Sequence, residues 1–230
     1  TFRSHRKTPI RERKSIMHRY HKLGKIPRKR HTVLRSKEGN IYHEELKGNR
    51  GFDGPSALLY HIHPPTEVVS TKVVDNFVLE EDPDPALRMR HFYTDRLPKG
   101  GSPITDRTPL LFNSDVILSV SHPDKNDDFH YRNAQADEVV YVGKGSGILE
   151  TAYGNLVYGK GDYLIIPRGI LHRYNMKSEP HSLLVIEGSG EINTPKRYRN
   201  EYGQLIERSP YSERDFRIPK KLVTNDEKGE

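Results

Sequence analysis

The chain has 230 residues, of which 33% are hydrophobic and 30% are charged, and it contains neither cysteine nor tryptophan. The absence of cysteine excludes disulfide bridges and thiolate metal sites, and it fits a reducing compartment. No apolar run reaches the ~18–20 residues that cross a bilayer, and no signal-peptide pattern stands at the start. We therefore expect a cytoplasmic protein with no membrane partner.

The net charge of +7 is concentrated at one end of the chain. Residues 1–37 contain fourteen Lys or Arg and one acid, Glu12, which leaves 24 bases and 30 acids for the remainder. A basic arm of this kind suits phosphate binding, but it lacks the interleaved aromatic residues of a single-strand binder. We expect residues 1–37 to form a poorly ordered arm with no nucleic-acid partner.

Four segments before residue 121 have strand character because they alternate or are rich in β-branched residues. They are residues 56–63, 66–74, 88–93 and 116–120. Between them, the sequence EEDPDP at 80–85 excludes regular structure, since its prolines restrict the backbone on both sides.

From residue 129 to residue 188, short strands alternate with turn residues, and Ala152-Tyr153-Gly154-Asn155 predicts a hairpin. The six predicted strands cover residues 138–142, 147–152, 155–158, 163–166, 172–175 and 182–187. Many short strands at close spacing are typical of a sandwich or closed barrel. We find no long amphipathic helix before Thr194, and residues 209–215 predict a helical turn with a serine cap.

Two motifs lie inside this strand array. The sequence GDYLIIPRGILH at 161–172 resembles the second cupin motif, with a match at Gly161, Pro167, Gly169 and His172. The glycines allow tight turns on either side of one strand, and His172 then begins the next strand at the barrel mouth. We predict a mainly β fold: a cupin-type jelly-roll β-barrel with extra N-terminal strands and little helix, over residues 38–193.

The sequence RNAQADEVVYVGKG at 132–145 resembles the other cupin motif only in its second half. Glu138 and Gly145 match, but no histidine stands three or four residues before the glutamate, and His130 lies eight residues before it. A mononuclear iron or manganese site needs about three imidazole or carboxylate ligands. Glu138, His172 and His130 leave two interpretations open: a reduced metal site or, as we favour, a barrel that has lost its metal.

A further histidine pair lies upstream of these motifs. His61, His63 and Glu67 have the spacing of a metal site, and strand alternation would place both histidines on one face. Because Pro64-Pro65 breaks the strand and no glycine follows at the right distance, we expect no metal there.

Longer segments narrow the choice among cupins. The sequences YHKLGKIPRKRHTVLR, YHEELKGNRGFDGPSALLYH, EEDPDPALR, PRGILHRY and YGQLIERSPYSERDF resemble, in this order, the homogentisate 1,2-dioxygenase family. The resemblance runs from about Met17 to Glu230 and covers about the N-terminal half of such enzymes. It implies an enzyme of tyrosine and phenylalanine catabolism that opens the ring of homogentisate with O2 and non-haem Fe(II), giving maleylacetoacetate.

The resemblance also implies where that chemistry takes place. In that family two His and one Glu of a C-terminal barrel hold the iron, while the N-terminal barrel lacks a metal and serves packing and assembly into trimers or hexamers. It therefore implies no catalytic residue and no metal here, Fe(II) in a domain that begins at residues 194–230, and an inactive isolated chain. Asn133 is the one candidate substrate contact, donated across a subunit interface, and the alternative is a turn Asn between strands.

The ends of the chain predict a fragment of a longer reading frame. The sequence starts at Thr1, whereas Met17 opens a segment that reads like a start, and the other end stops in a polar stretch. One alternative to the oxygenase stays open: a stand-alone cupin that binds a small molecule, or an isomerase that uses Glu138 and His172 as acid and base.

Overall fold

The computed structural model describes residues 33–51, 53–74, 77–84 and 86–223, without the side chains of residues 53–55 and 179. Most of the predicted arm at 1–37 lies outside these residues. Within them, no helix is long and apolar enough to cross a membrane.

The described residues form eight strands and three 3-10 turns. The strands are β1 (His43–Arg50), β2 (Asp53–His61), β3 (Thr108–Phe112), β4 (Val116–Ser121), β5 (Asp137–Thr151), β6 (Gly154–Tyr158), β7 (Tyr163–Ile166) and β8 (His172–Gly188). The 3-10 turns are Thr94–Arg96, Lys196–Tyr198 and Glu213–Asp215.

β1 and β2 form a separate antiparallel hairpin, and the other six strands form one sheet in the order β3-β4-β8-β5-β6, with β7 also paired to β5. β5 is the centre of this sheet. It pairs with β8 from Asp137↔Gly188 to Thr151↔His172, while its first half also pairs with β7 and its second half with β6.

β5 bends in the middle, and the bend lets both of its halves enclose one core. The register with β8 shifts repeatedly between Val142 and Gly147, and Gly145 has a φ of +98°, which a residue with a side chain rarely adopts. Val140 and Leu149, from opposite halves, belong to the same buried cluster as Val185 of β8. The predicted mainly β, cupin-type jelly roll with extra N-terminal strands and little helix is confirmed.

The prediction of strands at residues 66–74 and 88–93 is wrong. The described residues there form no β-ladder with another segment and are mostly exposed. Their β-branched and alternating residues carry strand propensity, but propensity does not supply a partner strand. The segment predicted at 56–63 begins earlier and ends at His61.

The predicted strands around residues 138–152 are one strand, β5, and those around residues 172–187 are one strand, β8. In β5, Gly143 and Gly145 stand between the two predicted pieces, where the register shifts, and they do not end the strand. The predicted hairpin is confirmed, because β5 ends at Thr151 and β6 begins at Gly154. The predicted helical turn is the 3-10 turn Glu213–Asp215, where the Ser212 backbone N–H donates to the Asp215 carboxylate at 2.6 Å.

Candidate functional site

The two motifs meet at one end of the barrel. β7 lies between the turns at Gly161 and Gly169, whose φ values of +91° and +76° explain why glycine stands there. The Gly169 N–H donates to the Asn133 carbonyl at 2.7 Å, and the Tyr131 and His172 backbones exchange two hydrogen bonds of 2.8 and 2.9 Å. These bonds bring Asn133, Glu138 and His172 to one region of the barrel.

Glu138 is fully buried on the inner face of β5. Its Oε2 accepts a hydrogen bond from Arg107 Nη2 at 3.0 Å, and its Oε1 accepts one from Asn133 Nδ2 at 2.9 Å. Burial by itself would raise the pKa of Glu138, but the Arg107 guanidinium outweighs it and holds the pKa below its ordinary value. The carboxylate is therefore ionised at neutral pH, with an internal counter-charge.

Arg107 lies just before β3 and points into the barrel, with 7% of its side chain exposed. Its Nε donates to the Pro103 carbonyl at 3.0 Å, and its Nη1 lies 3.7 Å from the Glu187 carboxylate. Burial would lower the pKa of Arg107, but the charge of Glu138 outweighs it and raises that pKa. Sequence reasoning missed this residue because it stands in a Pro/Gly/Ser loop. The signal was indirect: an inward-facing Glu138 needs a buried cation.

Asn133 joins the two carboxylates of this site. Its Nδ2 donates to Glu138 at 2.9 Å and to Glu187 at 2.8 Å, while its Oδ1 accepts from the backbone N–H groups of Gln135 and Ala136 at 3.0 and 2.9 Å. Both amide hydrogens and both oxygen lone pairs are thereby used. Asn133 thus stabilises the turn before β5 and also links the Glu138 and Glu187 carboxylates inside the barrel. A substrate contact across an interface stays a prediction, and it would require one of these bonds to break.

His172 is fully buried and is the first residue of β8. Its Nδ1 lies 2.9 Å from the Ile170 carbonyl, which only accepts, so Nδ1 carries the proton and Nε2 presents a lone pair. Nε2 has no hydrogen-bond partner among the described residues. Burial lowers the pKa of His172, so the ring is neutral at physiological pH.

The other candidate histidines lie elsewhere. His130 is near Glu150, in the second half of β5, where the carboxylate also accepts bonds from Arg173 and Asn175. His61 Nε2 lies 2.8 Å from Glu45. Because β2 ends at His61, the expectation that His61 and His63 share one strand face is wrong.

The described residues do not fit a metal ion. They contain no group of three or more His, Cys, Asp or Glu side chains that could hold one. Glu138, the one carboxylate at a cupin ligand position, has both oxygens engaged, and its neighbour is a guanidinium. A divalent cation beside Arg107 would meet strong repulsion in this buried setting. Acid–base work by Glu138 and His172 would also require a substrate to reach two fully buried side chains.

No protein-family model matches the chain. A protein of Saccharolobus solfataricus that bears a provisional dioxygenase name is 40% identical over 211 residues, which cover 91% of this chain and 54% of that protein. The chain thus spans about half the length of this relative.

Two solved structures are similar to parts of the chain. A cupin-2 domain protein of Shewanella frigidimarina has a TM-score of 0.33 and 20% identity, covering 36% of this chain and 80% of that protein. A cupin protein of Bacteroides fragilis has the same TM-score and identity, covering 40% of this chain and 83% of that protein. Likeness at this level bears on neither substrate nor reaction.

Proposed function

We propose that this chain is the metal-free barrel of a larger non-haem iron dioxygenase that cleaves the ring of homogentisate or a related aromatic acid with O2. The Fe(II) would be held by another barrel of the enzyme, and the enzyme would be a cytoplasmic homo-trimer or hexamer. The dioxygenase class is supported by the 40% identity to the Saccharolobus solfataricus protein over nearly the whole of this chain. The aromatic substrate is supported by the sequence resemblance alone.

The Arg107–Glu138 ion pair is the observation that supports a metal-free barrel in this chain and an iron site in another barrel. An oxygenase iron needs about three ligands and open positions for substrate and O2. Here the Glu138 carboxylate, which stands at the ligand position, is neutralised by the Arg107 guanidinium. Arg107 Nη2 and Glu138 Oε2 are 3.0 Å apart, so no open space lies between the two groups. The pair supports a structural role for this barrel and a metal site elsewhere in the enzyme.

The proposed activity can be measured on the full-length protein that contains this chain. After anaerobic reconstitution with Fe(II), we expect uptake of one O2 per homogentisate without release of hydrogen peroxide, because ring cleavage places both oxygen atoms in the product. Uptake with a different aromatic acid would keep the dioxygenase class and change the substrate. Absence of uptake with any aromatic acid would overturn the proposal.

The location of the iron needs a second measurement. We expect His172→Gln to leave the iron content and the O2 uptake of the full-length protein close to those of the unmodified protein, provided that circular dichroism shows a folded variant. Loss of iron from this variant would place the metal in this barrel. Ring cleavage by residues 1–230 alone would overturn the division of labour in the same way.

A further inference from the structure

Residues 68–74, with the sequence VVSTKVV, lie in the long connection between β2 and the 3-10 turn Thr94–Arg96. All seven residues are exposed, and the four valines expose between 69% and 95% of their surfaces. Single exposed apolar residues are normal on a protein surface. Four exposed valines within seven residues form a contiguous apolar segment, and such a segment marks an interaction surface.

The same residues have the composition of a β-strand but no partner strand within the chain. Five of the seven are β-branched, namely the four valines and Thr71, and such residues fit a pleated strand best. The segment contains no helix, turn or bend, and none of its residues has a positive φ. Its backbone forms no hydrogen bond with the backbone of another described residue. The segment is therefore available for pairing with a strand from another chain.

The sequence of the segment is complementary to its own reverse. If Thr71 lies opposite Thr71 of a second copy, antiparallel pairing places Val68 opposite Val74 and Val69 opposite Val73 in both directions. Four pairs of valines then face each other, whereas a shift of the register by one residue leaves only two such pairs. Cross-strand pairs of β-branched residues stabilise an antiparallel ladder, so the register centred on Thr71 is favoured.

The charged residues favour antiparallel over parallel pairing. Parallel strands in register would also match the valines, but Lys72 would then lie opposite Lys72 of the second copy, and like charges directly opposite each other destabilise a sheet. Antiparallel pairing places Lys72 opposite the neutral Ser70. The acidic residues Glu67 and Asp75 flank the segment and would face each other, so they limit the ladder to residues 68–74.

We propose that residues 68–74 pair antiparallel with the same residues of a second copy of the chain, around a two-fold axis at Thr71. Such a contact is isologous and requires an even number of copies, so it selects the hexamer from the two proposed assemblies. A two-stranded ribbon alone is marginally stable in water, so the pairing acts together with other contacts of the assembly. The pairing does not depend on the dioxygenase chemistry, whereas its place in a hexamer rests on the proposed function.

The absence of cysteine from residues 1–230 permits a test by disulfide trapping in the full-length protein. Thr71→Cys places two thiols directly opposite each other, where Cα atoms lie about 4.5–5.5 Å apart and a disulfide can form. Ser70→Cys is the matched control, because Ser70 is also exposed but would lie diagonal to its own copy, at about 7–8 Å and beyond the reach of a disulfide. Linked peptides would be identified by mass after mild oxidation.

We expect Thr71→Cys to form a disulfide between two identical peptides about tenfold or more faster than Ser70→Cys does. Equal rates would indicate parallel pairing or random collision and would overturn the proposal, as would the absence of the disulfide in Thr71→Cys. Formation of this disulfide together with a failure of O2 uptake on every aromatic acid would refute the proposed function and leave the pairing standing.

The molecular mass in solution provides an independent measurement. Val73→Asp would place a carboxylate opposite Val69 of the second copy, and we expect it to halve the number of copies in the assembly. Val157→Asp is the control, because Val157 is 70% exposed on β6 and lies outside the segment, so its mass should not change. Equal masses of the two variants would overturn the proposal.

Discussion

The Arg107 guanidinium and the Glu138 carboxylate form a 3.0 Å ion pair in the interior of the barrel, where Glu138 has no exposed surface. The pair joins the loop before β3 to the central strand β5. Asn133 and Glu187 complete its hydrogen bonds, so the interior contains a connected polar group and not an isolated charge. Removal of either the cation or its partner carboxylate from such a group lowers the free energy of unfolding.

Removal of the cation should destabilise the protein strongly. We expect Arg107→Ala to lower the free energy of unfolding by about 3–5 kcal/mol, because it leaves the buried Glu138 carboxylate without its counter-charge. Urea unfolding measures this change. Lys144→Ala, which breaks the exposed pair with Asp95, is the control and should have a much smaller effect. Equal effects of the two variants would contradict the prediction, whereas adding Glu138→Gln to Arg107→Ala should restore part of the loss.

A third carboxylate at this site should make stability depend on pH. We expect Asn133→Asp to lower the free energy of unfolding at pH 7, since the new carboxylate would face Glu138 and Glu187 and its folded pKa would be raised. A raised folded pKa means that the deficit is absent at low pH and grows as the pH rises through that pKa. Asn113→Asp is the control, because Asn113 accepts from two backbone N–H groups in the same way but is exposed. Deficits of equal size for the two variants at pH 7 would contradict the prediction.

The buried His172 should contribute to acid destabilisation. Its folded pKa is lowered by burial, so the unfolded chain binds the proton more readily, and stability is lost as the pH falls. The loss should begin near the unfolded pKa of ~6.5 and reach at most about 1.4 kcal/mol per pH unit. We expect His172→Phe to show a flatter profile between pH 7.5 and pH 5 in urea unfolding. Parallel profiles for the two proteins would show that the ring is not held neutral.

The hydroxyl of Tyr174 is buried and has no hydrogen-bond partner among the described residues. We expect Tyr174→Phe to raise the free energy of unfolding by about 1 kcal/mol, because it removes an unsatisfied polar group at little cost in packing. Tyr158→Phe is the matched comparison. The Tyr158 hydroxyl lies 3.4 Å from His181 Nε2, so its removal should lower stability. Thermal unfolding of both variants measures these changes in stability, and a lower stability of Tyr174→Phe than of the unmodified protein would contradict the prediction.

The barrel could be predicted from the sequence because turn residues depend directly on the local backbone conformation. Gly161, Pro167 and Gly169 fix the chain reversal around β7, and the position of Glu138 relative to Gly145 fixes the start of β5. These local rules identified Glu138 and His172 as the cupin ligand positions, and the structure shows that both are fully buried. They could not identify Arg107, which precedes Glu138 by 31 residues and lies in a segment without periodicity.

The wrong strands at 66–74 and 88–93 have a related cause. A strand exists only when another strand pairs with it, and pairing is a property of the whole fold, not of the segment. The polar contacts of Asn133 were missed for the same reason. A turn signal predicts its bonds to Gln135 and Ala136, whereas its bonds to Glu138 and Glu187 depend on how β5 and β8 are brought together.

The β5–β8 ladder also bears on how quickly the chain can fold. Its pairs run from Thr151↔His172, 21 residues apart in sequence, to Asp137↔Gly188, 51 residues apart. Each further pair lengthens the closed loop by only a few residues, and the entropy of loop closure grows only with the logarithm of loop length. The most distant pairs of this ladder are therefore reached by zipping outward from one short loop, which moderates the slow folding expected of a fold with high contact order.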